Sequence, residues 1–304
     1  MESTMRKFAI IEAPSVLGHI PTHLGVAKMP EALLEAGLAK RLNARHAGRV
    51  ESPEWRAERD PETGVMNPSA INEYSSSLAD VISATLDAGE FPVVLGGDCS
   101  ILLGSMLSLK RRGRYGLFYL DGHCDFYTPE TNPIQGAASA SDLAFVTGRG
   151  PSVVANIENK GPLVADEDIF VFGYRDGAIQ LRNRSPQLPP ALRALNRQEV
   201  RILGTETAAE EAIEHLTRDG GPEGFWIHVD ADVLDQSIMW ACDHPQPDGF
   251  MWDDLASALR VAMRSPRAIG IQLTIYNPEM DPGGLSGRGL AATVGKALGQ
   301  FAAR

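Results

Sequence analysis

Short, almost wholly apolar runs alternate along this chain with longer segments of helical periodicity, and this alternation constrains the fold more than any other feature. Seven such runs occupy residues 8–11, 92–95, 115–120, 169–172, 200–203, 225–229 and 269–273. A strand without polar alternation is typical of a parallel sheet that is covered on both faces. Segments with helical periodicity separate most of these runs, at 29–42, 71–88, 101–111, 208–217, 252–264 and 290–302.

This alternation predicts βαβ units with right-handed crossovers, and therefore a three-layer α/β/α fold with a mostly parallel central sheet. An α/β barrel is the competing arrangement, and both remain open at this point. Two stretches rich in Pro, Asn and Gly, 49–68 and 173–190, are predicted to be loops. Neither has the length or polarity of an interdomain linker, so we expect a single domain over residues 1–304.

The overall composition excludes several classes of protein. Among 304 residues, 28 Lys and Arg face 39 Asp and Glu, and the net charge of −11 argues against a nucleic-acid partner. No segment approaches the ~18 uninterrupted apolar residues of a membrane span. The first residues lack a secretory signal, and three cysteines are too few for a disulfide framework. We therefore expect a cytoplasmic protein with reduced thiols.

Two of the predicted strands are followed directly by alternating acidic residues. Asp121, His123 and Asp125 follow one strand, and Asp230 and Asp232 follow the other. Residues spaced by two in extended chain point to the same side. Because buried carboxylates are costly unless they are paired or bound to a cation, this pattern predicts a divalent-metal site.

A third polar segment, Gly96-Gly97-Asp98-Cys99-Ser100, follows another predicted strand. Ligand-binding groups of open α/β sheets gather at the carboxyl ends of strands, so Cys99 could add a thiol to the same site. Alternatively, Asp98 or Ser100 simply caps the next helix. With Cys99 included, the three segments offer enough donors for two metal ions that share carboxylates.

In this order, the motifs resemble those of the arginase–agmatinase–formimidoylglutamase family, the ureohydrolases. The Gly-Gly-Asp turn, the Asp-x-His-x-Asp run and the Asp-x-Asp-x-x-Asp run carry the resemblance, together with segments 25–30, 173–176 and 277–278. The resemblance implies an arginase-like α/β/α fold, a binuclear manganese centre and hydrolysis of C–N bonds in linear amidines or guanidines. It also implies a small-molecule substrate and a homo-oligomer of three or six subunits.

The resemblance further implies which residues hold each metal ion. The first ion would be bound by Cys99, Asp121, Asp125 and Asp230. The second would be bound by Asp121, His123, Asp230 and Asp232. Asp125 would also be catalytic, because it would take a proton from the water activated between the metals and pass it to the leaving amine.

The sequence departs from the family pattern at the first metal ligand. Cys99 stands where the family usually has histidine. A comparable cysteine occurs in a hydroxyarginine amidinohydrolase relative, so the change is compatible with activity. A thiolate is a softer ligand than imidazole, and it makes Zn²⁺, Fe²⁺, Co²⁺ or Ni²⁺ candidates beside Mn²⁺.

Further departures affect proton transfer and substrate binding. The family's proton-shuttling histidine is replaced by Gln135. His244 is a candidate to supply the lost proton donor, or else it is a histidine of a surface loop. Ile275 occupies the place of a glutamate that pairs with guanidinium, and Ala178 the place of an acid that grips an α-amino group. Tyr127 replaces a polar residue that binds carboxylate.

The departures together favour a substrate other than arginine, such as a hydroxyguanidine, a formimino compound or another neutral amidine or amide. We expect substrate contacts from Tyr127, Asn132, Gln135 and Asp176. Two alternatives remain: a non-catalytic binding or regulatory protein with the same fold, and an amidinohydrolase acting on an N-hydroxyarginine-type substrate.

Overall fold

One sheet of eight parallel strands forms the centre of the computed structural model, which describes residues 5–132 and 136–303. The strand order is β2-β1-β3-β8-β7-β4-β5-β6. The strands are β1 (Phe8–Ala13), β2 (Arg45–Arg49), β3 (Phe91–Gly96), β4 (Gly116–Leu120), β5 (Ile169–Phe172), β6 (Arg193–Leu195), β7 (Phe225–Asp230) and β8 (Ala268–Thr274). Because the sheet is open, with β2 and β6 at its edges, the α/β barrel is excluded.

Helices cover both faces of the sheet, which confirms the predicted three-layer architecture. One face carries α1 (Met29–Glu35), α2 (Leu38–Leu42), α9 (Thr205–Leu216), α10 (Trp252–Arg264) and α11 (Leu285–Gly299). The other carries α3 (Pro68–Asp87), α4 (Leu102–Lys110), α5 (Asp142–Val146) and α6 (Ser152–Ala155). No helix within the described ranges combines the length and apolar character that crossing a bilayer requires.

The prediction of a strand at 200–203 was wrong, because this run ends helix α8 (Arg197–Leu203). Asn196 caps the helix by accepting from the Glu199 amide, and the Glu199 side chain accepts from the Asn196 amide in return. Only Val200 of the apolar run is buried, whereas Ile202 is 75% exposed. The sixth strand is instead the short segment β6, which immediately precedes this helix.

Three other boundaries differ from prediction. The edge strand β2 was not expected, because its sequence is polar. It pairs with one strand only and is largely exposed, so it lacks the apolar composition of the central strands. The predicted helix 29–42 is divided into α1 and α2 at Gly37, which adopts a left-handed conformation. The predicted loop 173–190 contains helix α7 (Gly177–Asn183).

Candidate metal centre and its cavity

The predicted ligand residues converge because their strands are neighbours in the sheet. Strands β3, β8, β7 and β4 lie side by side in that order and run in the same direction. Cys99 follows β3, Asp121 follows β4, and Asp230 is the last residue of β7. The carboxyl ends of these strands therefore bring residues that are far apart in sequence to one edge of the sheet.

A first group of potential ligands combines a thiol, two carboxylates and an imidazole. One ligand atom from each residue lies within 4.8 Å of the others in the set Cys99, Asp121, His228 and Asp230. All four side chains are buried. The Cys99 Sγ donates to Asp230 Oδ2 at 2.7 Å and lies 3.2 Å from Thr274 Oγ1. The thiol is therefore directed at the carboxylates.

A second group shares Asp121 with the first and adds His123 and Asp232. His123 Nδ1 lies 2.8 Å from Asp232 Oδ2, and its Nε2 lies 2.8 Å from the amide nitrogen of Gln246. The two groups adjoin through one carboxylate, which is the arrangement that two bridged cations require. Asp125 belongs to neither group, although it lines the same cavity.

Close backbone contacts hold the two acidic loops together. The Gly122 amide donates to Asp232 Oδ1 at 3.0 Å, and a Cβ at Gly122 would lie 2.7 Å from the Asp232 carbonyl oxygen. Arg175 donates to the carbonyls of Asp232, Leu234 and Gln246, and so links the loop after β7 to the segment that follows it. Glycine is required at position 122 because the approach leaves no space for a side chain.

The carboxyl groups of the site repel one another in the absence of a cation. Burial, and next the nearby carboxylates, raise the pKa of Asp125, Asp121 and Asp230 well above the usual range. Asp232 is the exception: burial acts to raise its pKa, but the charge and hydrogen bond of His123, together with Arg175 and the Gly122 amide, lower the pKa overall. Burial opposes protonation of His123, but Asp232 raises its pKa to about 9. Oxygen, nitrogen and sulfur donors in this setting fit divalent cations.

We expect bound divalent metal to stabilise the protein more at pH 8 than at pH 5. Because the folded-state pKa values of Asp121 and Asp230 are raised, the metal-free folded state binds more protons than the unfolded state. Its free energy of unfolding therefore falls as pH rises above the unfolded pKa of aspartate. Cations replace these protons, and at 100 times Kd they add about 2.7 kcal/mol.

Thermal unfolding with and without metal at the two pH values measures this effect. The metal-free protein is the control, because titrating groups remote from the site contribute equally to both forms. A metal-induced increase in Tm that is the same at pH 5 and pH 8 would contradict the prediction.

A cavity of about 280 Å³ adjoins both groups and is lined by Cys99 and Asp230 of the first group and by His123 and Asp232 of the second. Acidic groups and histidines line the part near the clusters, whereas the remaining wall is largely apolar. The apolar contributions come from Ile20, Tyr127, Ala140, Ile179 and Ile275. None of the described residues that line the cavity is Lys or Arg. A substrate carboxylate would therefore find no permanent cation in the lining.

Ile275 lies in the cavity wall with a backbone conformation that is rare for its residue type. Its φ is +72°, and its amide donates to the Gly97 carbonyl at 2.9 Å. The left-handed region is strongly disfavoured for a β-branched residue. Strain of this kind is found where the surrounding structure fixes a functional side chain, and here it directs an apolar group into the cavity.

The residues expected to bind substrate fall into different places. Tyr127 lines the cavity, and its hydroxyl accepts from Asn183 at 3.3 Å. Asn132 donates to the Ala137 carbonyl and the Ser141 hydroxyl within its own loop. Asp176 is buried and accepts from the Gln180 amide at 2.8 Å. Gln135 lies outside the described residues.

His244 lies at the mouth of the cavity beside two other histidines. Its ring centroid is 6.1 Å from that of His123 and 6.4 Å from that of His23. Burial, and next the charge of His123, lower the pKa of His244. The neighbouring Asp243 is buried in an ion pair with His19, which also lines the cavity.

Several polar residues of this site were not predicted from the sequence. They are His19, Asp142, His228, Asp243, Gln246 and Gln272. Asp142 is fully buried and accepts from the Tyr119 hydroxyl at 2.9 Å. A polar residue inside an otherwise apolar strand was the available signal for His228. The contact between His19 and Asp243 joins segments more than 200 residues apart, and no local pattern indicates it.

Known proteins match the chain over nearly its whole length. The Arginase family model matches residues 6–299. The chain belongs to the arginase family. It is 27% identical over 304 residues to the arginase of Bacillus caldovelox, covering 97% of this chain and 99% of that protein. The predicted family membership is therefore confirmed.

Solved structures show that the fold is shared. The native arginase structure from Bacillus caldovelox superposes with a TM-score of 0.85 at 24% identity, covering 97% of this chain and 98% of the other. Formimidoylglutamase from Bacillus subtilis superposes with a TM-score of 0.73 at 17% identity, covering 99% and 89%. This chain therefore shares its α/β/α fold with these structures.

Proposed function

We propose that this arginase-family protein is a metal-dependent hydrolase that cleaves a C–N bond in a linear amidine or guanidine-type substrate other than arginine. The observation that carries the proposal is the pair of ligand groups joined through Asp121, next to a cavity whose described lining residues include no Lys or Arg. The first property supplies the chemistry, and the second sets the class of substrate.

Two divalent ions would fit this site and would share Asp121 and Asp230 as ligands. Cys99, Asp121 and Asp230 would hold one ion, with Asp125 as a further ligand. Asp121, His123, Asp230 and Asp232 would hold the other. When bound, the ions lower the pKa of a water molecule and so supply a nucleophile at neutral pH. Family resemblance favours Mn²⁺, whereas the thiol of Cys99 admits Zn²⁺, Fe²⁺, Co²⁺ or Ni²⁺.

Asp125 and His244 are the proposed proton carriers. Asp125 lines the cavity, where it would take a proton from the activated water and pass it to the leaving amine. His244 lines the same cavity at its mouth, where its ring lies near His123. From this position, His244 can exchange protons between the site and water.

The cavity wall favours a substrate whose remaining part is apolar or uncharged. Ile275 and Ile179 offer no partner to a cation, and an unpaired charge buried beside them would be costly. Cys99 supports an N-hydroxyarginine-type substrate, because a hydroxyarginine amidinohydrolase relative has a comparable cysteine. The cavity lining opposes it, because no described lining residue provides a permanent positive charge for an α-carboxylate.

Assembly and location are proposed with the function. Family resemblance supports a single arginase-like domain in each chain. It also supports a homo-oligomer of three or six subunits. The three free cysteines are all buried, which is compatible with the reducing conditions of a cytoplasm. Small molecules are the only partners that the acidic cavity and the negative net charge favour.

Metal stoichiometry and a matched substrate panel test the proposal. We expect two metal ions per chain after purification without chelator, and turnover of hydroxyguanidines, formimino compounds or amides in preference to arginine and agmatine. The panel should pair each of these substrates with a guanidino analogue of the same length, so that the chemistry of the reacting group is the only difference. The metal-free protein is the control. Portions of it are then reloaded with each of the five candidate metals and assayed in the same way.

The non-catalytic alternative makes the opposite prediction. One ion or none per chain after reloading, with no turnover in any metal, would overturn the proposed hydrolase. Two ions with preferential turnover of arginine would retain the metal centre and overturn the substrate class.

A further inference from the structure

His228 is a fully buried histidine that the proposed mechanism does not use. It lies on β7, two residues before Asp230, and its Nε2 has no hydrogen-bond partner among the described residues. Asp121 Oδ2 also lacks a partner within the described part of the chain and lies 3.9 Å from this nitrogen. His228 thus faces the shared carboxylate of the two ligand groups either as a metal ligand or as a hydrogen-bond donor.

The neighbouring strand determines which of these roles His228 can take. The register of β7 and β8 places Gln272 opposite His228. Trp226 Nε1 lies 3.0 Å from Gln272 Oε1, and Gln272 Nε2 lies 2.8 Å from His228 Nδ1. The Trp226 ring packs over Gly270, where a Cβ would lie only 1.9 Å from the ring. The indole is therefore held at a fixed place against β8.

The direction of each hydrogen bond follows from the indole. An indole N–H can only donate, so the Gln272 atom facing Trp226 must be the amide oxygen. The Gln272 amide nitrogen then faces His228 and donates to Nδ1, which consequently carries no proton. Since an imidazole ring carries a proton on at least one nitrogen, the proton of His228 is on Nε2.

We infer that His228 is a positioning residue that directs an Nε2–H donor at Asp121, and that it is not a metal ligand. A nitrogen that carries a proton has no lone pair in the ring plane to offer a metal ion. The Tyr119 ring stacks on the imidazole at 4.5 Å with an interplanar angle of 11°, and it fixes the plane of the donor. A movement of about 1 Å would bring the two atoms to hydrogen-bond distance.

This donor has a specific effect on Asp121. The His123 amide donates to Asp121 Oδ1 at 2.6 Å, and His228 faces Oδ2. The two donors approach the carboxylate through different oxygens and so fix its orientation between the two ligand groups. This consequence for metal binding rests on the proposed function, whereas the protonation of His228 Nε2 does not.

Nitrogen NMR of protein labelled with ¹⁵N at histidine tests the inference, in the metal-free form and with Zn²⁺ bound. We expect the His228 signals to show a protonated Nε2 and an unprotonated Nδ1 in both forms. A proton on Nδ1, or coordination of Nε2 by Zn²⁺, would overturn the inference. Because the metal-free spectrum needs neither bound metal nor turnover, its result is independent of whether the proposed function holds.

A variant of the neighbouring strand provides a second measurement. Gln272→Glu replaces the amide donor by a carboxylate oxygen, which can only accept from His228 Nδ1. We expect the proton of His228 to move to Nδ1, leaving an Nε2 lone pair directed at the site, and Zn²⁺ affinity to rise. Gln300→Glu makes the same charge change at an exposed residue. We expect it to leave the His228 protonation and the Zn²⁺ affinity unchanged.

An unchanged His228 spectrum in folded Gln272→Glu would show that Gln272 does not set its protonation, and would overturn the inference. The wild-type spectrum decides the question independently if this variant fails to fold.

Discussion

Replacement of Asp121 by Asn is expected to reduce bound metal from two ions per chain to at most one, and to lower turnover by several orders of magnitude. Asp121 is the one residue that both ligand groups contain. The change removes the charge that the two cations would share and keeps the shape of the side chain. Without the cations, the pKa of water returns towards its ordinary value and the nucleophile is lost at neutral pH.

Elemental analysis together with steady-state kinetics measures this effect. Asp219→Asn is the matched control, because Asp219 is exposed and the charge change is the same. Full metal content and full turnover in Asp121→Asn would exclude the proposed metal centre. Full metal content with lost turnover would move the role of Asp121 from metal binding to the reaction itself.

Replacement of Ile275 by Glu is expected to shift the substrate preference towards cationic guanidines by about 10- to 100-fold in kcat/KM, the range of one charge-assisted hydrogen bond. Ile275 is buried in the cavity wall, and its unusual backbone conformation directs the side chain at the cavity. A carboxylate there would give a guanidinium the partner that it lacks in this chain. Glutamate is also not β-branched and so has a lower backbone strain at this φ.

The comparison should use substrates of equal size that differ only in charge. Ile275→Gln is the control, because glutamine has the shape of glutamate without its charge. If Ile275→Gln and Ile275→Glu shift the preference equally, cavity shape rather than charge sets the specificity. If neither variant changes the preference, residues other than Ile275 determine the selectivity for substrate charge.

Much of the fold was predictable from the sequence, because buried parallel strands are recognisable by their apolar composition. The same criterion failed for strands at the edges of the sheet. β2 contains three basic residues and no apolar run. The run at 200–203 looked like a strand because it is rich in aliphatic residues, whereas the Asn196–Glu199 capping pair indicates a helix start.

The candidate site was predictable only where residues follow strands directly. Asp121 and Asp230 lie immediately after apolar runs, and Cys99 follows another such run after a Gly-Gly-Asp turn, so the sequence marks all three. Gln272 and His228 meet because of the register between two strands that are 44 residues apart, and sequence spacing does not encode that register. The same reason applies to contacts with the first loop of the chain, such as that between His19 and Asp243.

The strand order has a consequence for when the metal centre can form. β8 is the last strand of the chain, yet it lies between β3 and β7 at the centre of the sheet. During synthesis, Cys99 and Asp230 therefore emerge well before the strand that sets the distance between them. Metal ions would gain the complete set of proposed ligands only after the carboxyl-terminal region has been made and inserted into the sheet. Metal uptake would thus report that the whole chain has folded, and no amino-terminal fragment could capture both ions early.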